Sequence, residues 1–321
     1  MNDEPDVSLI IPVYNVEKYL RKALVSVENQ TFKDFKVIIV NDGSTDGSYD
    51  IIEEFTSRNS NFLVINQPNR GVGAARNAGI KASRSKYISF MDSDDFLEPD
   101  FLKKMYVTAL KYDSDIVCCN FNFYYPKINT KVCWPFMAVP GVYSSDIALK
   151  KITSCISMLS FAWNKFFKRE LFVKNGIEFF DMYYEDSATS PRLFYFARKI
   201  VTLSDVLYNY VMHDSSITHC MDADKINDFI KSLGILRNFY EKHGIYRKFR
   251  RRMRAYSQRL SLLNYYNVFA MHLRSANFAG FLQNISAVKK SIKYFASDDY
   301  SPYDDDFSVD LPLRIKEPKE F

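Results

Sequence analysis

Tyr87-Ile88-Ser89-Phe90-Met91-Asp92-Ser93-Asp94-Asp95 runs from an apolar strand pattern directly into three carboxylates within four residues. Shortly after, Pro99 suits the first turn of a helix through Phe101, Leu102, Met105 and Leu110, because proline gives up there only an N–H that a helix start leaves unbonded. The acidic loop is therefore predicted at the carboxyl end of a strand.

Outward from this stretch the same alternation repeats. Val7 to Val13, Phe35 to Val40, Phe62 to Ile65 and Asp115 to Phe121 read as further strands. Val16, Tyr19, Leu20, Ala23, Leu24 and Val27 recur at helical spacing, with Asn15 available as a cap. Short β-branched runs alternating with amphipathic helices predict an α/β fold with parallel strands. In such sheets ligands bind outside the strands' carboxyl ends, which singles out the loops after Val13, Val40 and Met91.

Each of these loops carries polar chemistry. Side chains two apart in an extended segment point the same way, so Asp92 and Asp94 can converge on one ligand. Mg²⁺ or Mn²⁺ suits such carboxylates, commonly together with substrate phosphates. The plain alternative is a solvated acidic loop near a helix N-terminus, where negative charge is favourable anyway. In Asn41-Asp42-Gly43-Ser44-Thr45-Asp46-Gly47, turn chemistry and a cap from Thr45 or Asp46 account for most residues, but not for Asp42 ending an apolar strand. A carboxylate there can accept hydrogen bonds from a base edge or a ribose hydroxyl, beside an aromatic wall from Tyr14.

Asn69-Arg70-Gly71-Val72-Gly73-Ala74-Ala75-Arg76-Asn77-Ala78-Gly79 offers small residues for close approach and two arginines for phosphate or carboxylate. It is not a dinucleotide fingerprint. Arg76 stands where that pattern needs glycine or alanine, and the unit is not the first strand-to-helix turn. Arg76 is expected to pair with Asp92 or with a bound nucleotide.

In order, Ile10-Ile11-Pro12-Val13-Tyr14-Asn15, Val40-Asn41-Asp42-Gly43-Ser44-Thr45-Asp46, Gly71 to Gly79 and Met91-Asp92-Ser93-Asp94-Asp95 resemble the family-two inverting glycosyltransferases of bacterial polysaccharide and lipid-linked glycan synthesis. The resemblance covers about residues 5–220. It implies a GT-A fold, a Rossmann-like nucleotide-binding sheet flanked by helices. It also implies a nucleotide-sugar donor, UDP-linked or similar, a divalent metal (Mn²⁺ or Mg²⁺), and inversion at the anomeric carbon.

By that resemblance Pro12, Tyr14 and Asp42 hold the nucleobase, Arg76, Asp92 and Ser93 the nucleotide, and Asp94 the metal. Tyr183-Tyr184-Glu185-Asp186-Ser187 resembles the family's acidic pair before a helix, with Asp186 as catalytic base and Glu185 bordering the acceptor. A helix N-cap is the plain alternative for Asp186. Trp163-Asn164-Lys165 resembles a further motif on the donor side, against a core aromatic and a surface charge. His213 can reach metal or phosphate, although a lone histidine is more often structural. Asn41 and Val211 depart from the family, which often has aspartate and arginine there.

The rest of the chain bounds the reading. Its 321 residues, 47% of them hydrophobic, can bury a large core. The expected organisation is a catalytic domain over residues 1–224, with a donor half to about residue 120 and an acceptor half over residues 121–224. A mostly helical extension over residues 225–321 follows. Phe121 to Trp134 reads as irregular or antiparallel, and Lys150 to Phe172 and Ser187 to Lys199 as helical.

A net charge of +5 is low for a nucleic-acid partner. The five cysteines show neither a disulfide framework nor a zinc spacing. No signal sequence or membrane span is evident, so a cytoplasmic location is expected. Phe249, Met253, Tyr256, Leu260 and Leu263 form an apolar stripe beside Arg250, Arg251, Arg252, Arg254 and Arg259. That basic amphipathic helix over residues 247–263 suits packing on the domain, peripheral contact with the inner face of a cell membrane, or a homodimer. A glycan or lipid-linked glycan is the expected acceptor. Neither membrane spans nor a glutamine-arginine-tryptophan signature is present, which favours transfer of single sugars. The rivals are a nucleotidyl- or phosphotransferase using the same acidic loop, and a non-catalytic nucleotide-sugar-binding protein.

Overall fold

The computed structural model describes residues 5–134, 139–153, 158–213, 223–255 and 258. Two compact units divide the chain, residues 1–213 and 214–321.

The first unit is built on one mixed sheet. Strands β1 (Val7–Val13), β2 (Phe35–Asn41), β3 (Phe62–Asn66) and β4 (Tyr87–Phe90) run parallel in the order β3-β2-β1-β4. Their crossovers carry helices α1 (Glu17–Glu28), α2 (Ser48–Arg58) and α3 (Gly71–Ala82). Every residue of β1 is buried, as expected for a strand covered on both faces. Pro12 is tolerated in this central strand because pairing with β4 ends at Ile10↔Phe90. The missing N–H at Pro12 points past the last β4 rung, while the β2 ladder continues to Val13↔Asn41.

Beyond β4 the sheet changes character. It continues through β5 (Phe96–Leu97), α4 (Phe101–Tyr112), β6 (Ile116–Tyr125), β7 (Thr130–Cys133) and β8 (Gly141–Tyr143). Then come α5 (Ser145–Ile152), β9 (Lys165–Lys168), α6 (Glu170–Asn175), α7 (Glu185–Phe196) and β10 (Ile200–Val211). The sheet path extends as β4-β9-β6-β10-β5, with β9 antiparallel to both β4 and β6. The all-parallel expectation therefore holds for β1 to β4 and fails beyond them. β7 folds back antiparallel on β6, as the Phe121 to Trp134 pattern suggested.

The expected helix over Lys150 to Phe172 is instead α5, an intervening segment, β9 and α6. Its apolar run Phe161-Ala162-Trp163 followed by Phe166-Phe167 belongs to a buried strand and its approach, which periodicity alone cannot separate from a buried helix. Pro99 precedes the first helical turn, since α4 starts at Phe101 after the N-cap Asp100. Asn15 does not cap α1; it takes a positive φ of 50° and its Oδ1 accepts the Thr45 N–H at 2.8 Å.

In the second unit α8 (Ala223–Lys242) is followed by helical residues 246–255. Phe249 and Met253 are buried there, while Arg247, Lys248, Arg251 and Arg252 are exposed. Tyr256, Arg259, Leu260 and Leu263 lie outside the described residues. Among the described residues no helix is long and apolar enough to cross a membrane.

Candidate active site

Because β2, β1 and β4 are adjacent and parallel, the loops after them emerge side by side at one edge of the sheet. Tyr14 stands 46% exposed after β1. Pro12, two residues earlier in β1, is buried. Asp42 is buried at the end of β2. It accepts hydrogen bonds from Gln67 Nε2 at 2.6 Å and from the backbone N–H groups of Arg70 and Gly71 at 3.0 and 2.8 Å. Its carboxylate thus shapes the turn that starts α3, where Gly71 has a φ of +86°. The same loop is locked to α1: Asp46 accepts the Glu17 N–H at 3.1 Å, and Glu17 in turn accepts the Gly47 N–H.

The acidic loop after β4 is held from the far side of the sheet. Asp95, buried, accepts the Tyr208 hydroxyl and the Val211 N–H, each at 2.7 Å. Burial holds its carboxyl well above the usual range. The Tyr208 hydroxyl also accepts the Asp92 N–H at 3.1 Å, so one tyrosine of β10 fixes both ends of the turn. With Asp95 turned inward and Ser93 buried, Asp92 and Asp94 stay partly open. The segment is a tight turn rather than extended, closed by the Asp95 N–H on the Asp92 carbonyl at 3.1 Å; Asp92 meets Arg76, and Asp94 lies beside His213.

Arg76 ties this loop to the second acidic pair. It is 2% exposed, and its guanidinium meets Asp92 at 2.8 Å, Asp186 at 3.4 Å and Glu185. One cation thus sits among three carboxylates, with the Phe179 ring 5.3 Å from its centre. Burial works against the guanidinium's charge, but the carboxylates of Asp186, Glu185 and Asp92 outweigh it and strengthen its hold on the proton. Burial, only partly offset by Arg76, pushes Glu185 up to about 7. The same balance pushes Asp92 up to about 6, although 28% of its side chain remains open to solvent.

Glu185 and Asp186 occupy the first turn of α7, just after Tyr184 in a left-handed conformation with φ 60°. Tyr184, not Asp186, is the N-cap. Asp186 Oδ2 accepts the Ala162 N–H at 3.1 Å. The approach to α7 is docked on α3. Asn77 exchanges two hydrogen bonds with the Phe179 backbone, at 2.8 and 2.9 Å, and a Cβ at Gly73 would land on the Phe180 carbonyl. The framing roles of Asn77, Gly73, Asp95 and Tyr208 have no local signal in the sequence. Their partners are about a hundred residues away in the chain.

His213 Nε2 lies 2.7 Å from Asp94 Oδ2, and its ring stacks on Tyr19 at 4.5 Å. Among the described residues no group of three or more acidic, histidine or cysteine side chains is placed to enclose a metal. The donor set nevertheless fits Mg²⁺ or Mn²⁺, because those ions typically use one or two carboxylates and take remaining ligands from substrate phosphates and water. Asp94 and His213 are the residues that would hold it.

Trp163 and Lys165 are placed inside the protein. Trp163 is 3% exposed, stacked on Tyr208 at 4.4 Å and on Phe161 at 4.7 Å. Lys165 is fully buried rather than a surface charge, because its ammonium finds oxygen partners within the fold.

Residues 8–176 match the family described as glycosyl transferase family 2. The EpsH protein of Bacillus subtilis (strain 168) is 36% identical over 67% of this chain and 63% of its own length, so the match spans under two thirds of that relative. The structure of S. aureus TarS residues 1–349 with UDP-GlcNAc superimposes with a TM-score of 0.60 at 19% identity, over 89% of this chain and 92% of that one. The mannosyltransferase PcManGT from Pyrobaculum calidifontis, in complex with GDP-Man and Mn²⁺, gives a TM-score of 0.53 at 16% identity, over 93% and 77%. The fold is thus GT-A, and the chain belongs to glycosyl transferase family 2.

Proposed function

We propose that this chain is an inverting glycosyltransferase that moves one sugar from a nucleoside-diphosphate sugar, UDP-linked in the first instance, to a hydroxyl of a glycan or lipid-linked glycan. The observation that carries it is the single guanidinium of Arg76 bridging Asp92, beside the proposed metal ligand Asp94, to Asp186. A diphosphate-binding loop and a candidate general base are thereby held at one place. The UDP-GlcNAc bound to TarS and the GDP-Man bound to PcManGT support a nucleotide-sugar donor for a chain of this fold.

In this reading Tyr14 lines the nucleobase, with Pro12 behind it, and Asp42 shapes the turn beneath. Asp92 and Ser93 border the nucleotide, and Asp94 with His213 face the diphosphate. A bound divalent ion would supply charge stabilisation for the departing diphosphate. Asp186 accepts the proton of the acceptor hydroxyl as that oxygen attacks the anomeric carbon, and the bonding pair of the sugar–phosphate bond leaves with the nucleoside diphosphate. Attack opposite the leaving group inverts the centre without a covalent enzyme intermediate. The Ala162 N–H and Arg76 orient the Asp186 carboxylate for this step. Glu185 borders the acceptor side.

A cytoplasmic enzyme touching the inner face of a membrane through residues 247–263 is consistent with exposed Arg247, Lys248, Arg251 and Arg252. With Phe249 and Met253 buried, contact through residues 247–253 would be electrostatic, carried by these basic side chains.

The test is turnover of a panel of UDP-sugars with Mn²⁺ or Mg²⁺, comparing wild type with Asp94→Ala and Asp186→Asn. Release of nucleoside diphosphate from one donor, lost in both variants while Asp186→Asn still binds nucleotide, is the expected result. Release of nucleoside monophosphate or pyrophosphate would mark a nucleotidyl- or phosphotransferase. Binding without turnover under any condition would mark a non-catalytic protein.

A further inference from the structure

Lys165 is an ammonium ion with no exposed surface, on the first residue of a strand at the middle of the sheet. A buried charge persists only where hydrogen bonds replace its water. Here Nζ donates to the Leu159 carbonyl at 2.8 Å, to the Asn164 Oδ1 at 2.7 Å and to the Phe161 carbonyl. These three oxygens match the three donors of an ammonium, so the side chain has none left for a ligand.

All three partners belong to the segment that leads into β9. That segment is fixed at its other side by Asn164, whose carbonyl accepts the Cys119 N–H at 3.0 Å and whose Nδ2 donates to the Cys119 carbonyl at 2.9 Å. Between the two tethered carbonyls and Asn164 lies Ala162, whose N–H holds Asp186 Oδ2 at 3.1 Å. Next to it, Trp163 stacks on Tyr208, the residue that pins Asp92 and Asp95. One short segment thus touches both the candidate base and the support of the acidic loop.

We propose that Lys165 is a positioning residue for Asp186: by gathering the carbonyls of residues 159 and 161 and the Asn164 side chain around its buried ammonium, it sets the Ala162 peptide whose N–H orients the base. It acts through that peptide and does not touch the donor. The inference rests on the reading of Asp186 as base.

The experiment compares Lys165→Met, Asp186→Asn and the double variant by steady-state transfer and by direct titration of UDP with Mn²⁺. Lys165→Met should lower kcat about tenfold or more, while the affinity for UDP stays within about twofold. The double variant should be no slower than Asp186→Asn alone, because two residues acting on one step are not additive. UDP affinity falling in step with kcat, or the two losses multiplying, would overturn the proposal. Should Lys165→Met not fold, Lys165→Gln, neutral but still a donor of two hydrogen bonds, carries the same comparison. If Asp186→Asn alone transfers sugar at the wild-type rate, the base assignment itself falls, and this is visible before any Lys165 variant is considered.

Discussion

Asp42 and Asp186 are both carboxylates that accept backbone N–H groups from another segment, yet they reach that state by different routes. Asp42 follows the end of a strand, and its partners Gln67, Arg70 and Gly71 run from the loop after the neighbouring parallel strand to the first residue of α3. Asp186 starts a helix, and its partners are Ala162, on the approach to an antiparallel strand, and Arg76, 110 residues away. The first carboxylate is placed by a local rule of parallel sheets, the second by contacts that only the finished fold creates. Damage at the first should therefore stay on the nucleotide side. Damage at the joint between them should reach both.

Arg76 is that joint, and its removal has the largest expected effect. Arg76→Met leaves Asp92, Glu185 and Asp186 facing one another without a cation, and breaking a buried ionic network in this way costs about 3–5 kcal/mol. Urea unfolding reads the loss, and Arg76→Lys should fall between, since an ammonium cannot fork across separate carboxylates. A methionine variant within about 1 kcal/mol of wild type would show that the two carboxylate sites stand independently.

Gly73→Ala tests the same joint by shape. The added methyl meets the backbone carbonyl of Phe180, which cannot swing away as a side chain would. A cost of about 1–3 kcal/mol is expected. Sugar transfer should fall more than nucleotide affinity, because the displaced segment leads to Glu185 and Asp186. Equal losses in both would mean that the helix, not the docked segment, gives way.

The same contrast explains how much was legible in the sequence. β1 to β4 and the loops after them follow from apolar runs that end in turn residues, whereas the period-two argument for Asp92 and Asp94 does not apply, because the acidic segment closes into a turn directly after β4. The pairing of Arg76 with Asp92 was an open alternative that the geometry bears out. The stretch from Lys150 to Phe172 resembles a helix in sequence because Trp163, Phe166 and Phe167 are buried and Phe161 partly so, which removes the alternation that distinguishes a strand. A surface charge is an equally good reading of Lys165 in sequence, because a lone lysine says nothing of carbonyls that fold around it. Asp186 was legible only through the order of motifs. No local pattern announces that the Ala162 N–H will meet it.

On the donor side, Asp42→Asn should have a smaller and more confined effect. The amide keeps one acceptor oxygen where the carboxylate offers two, so one of the N–H groups of Arg70 and Gly71 loses its bond to residue 42, with Asn69 Oδ1 left as a longer second acceptor for Gly71. That costs about 1–2 kcal/mol in unfolding experiments. The loosened turn should weaken nucleotide binding while kcat at saturating donor is kept. A fall in kcat at saturation would erase the distinction between the two carboxylates.

The smallest expected effect is a change of slope with pH at Glu185. Burial pushes this carboxyl up to about 7 despite Arg76, so the folded protein holds its proton more tightly than the unfolded chain, where a glutamate has its usual value of 4.5. The stability this contributes is fully present below 4.5 and is lost as pH rises through about 7. Glu185→Gln, unable to titrate, removes that slope, whatever constant offset the lost ion pair adds. Because Glu185 and Asp92 share one guanidinium and titrate together, the difference is spread over the window and should be on the order of 1 kcal/mol. Thermal unfolding of both proteins at pH 5 and pH 8 measures it: wild type should lose more between the two than the variant does. If wild type instead gains on the variant as pH rises, Arg76 outweighs burial and keeps Glu185 ionised. Glu185 would then be a fixed charge, and the contrast between the two sides of the site would lie in their topology alone.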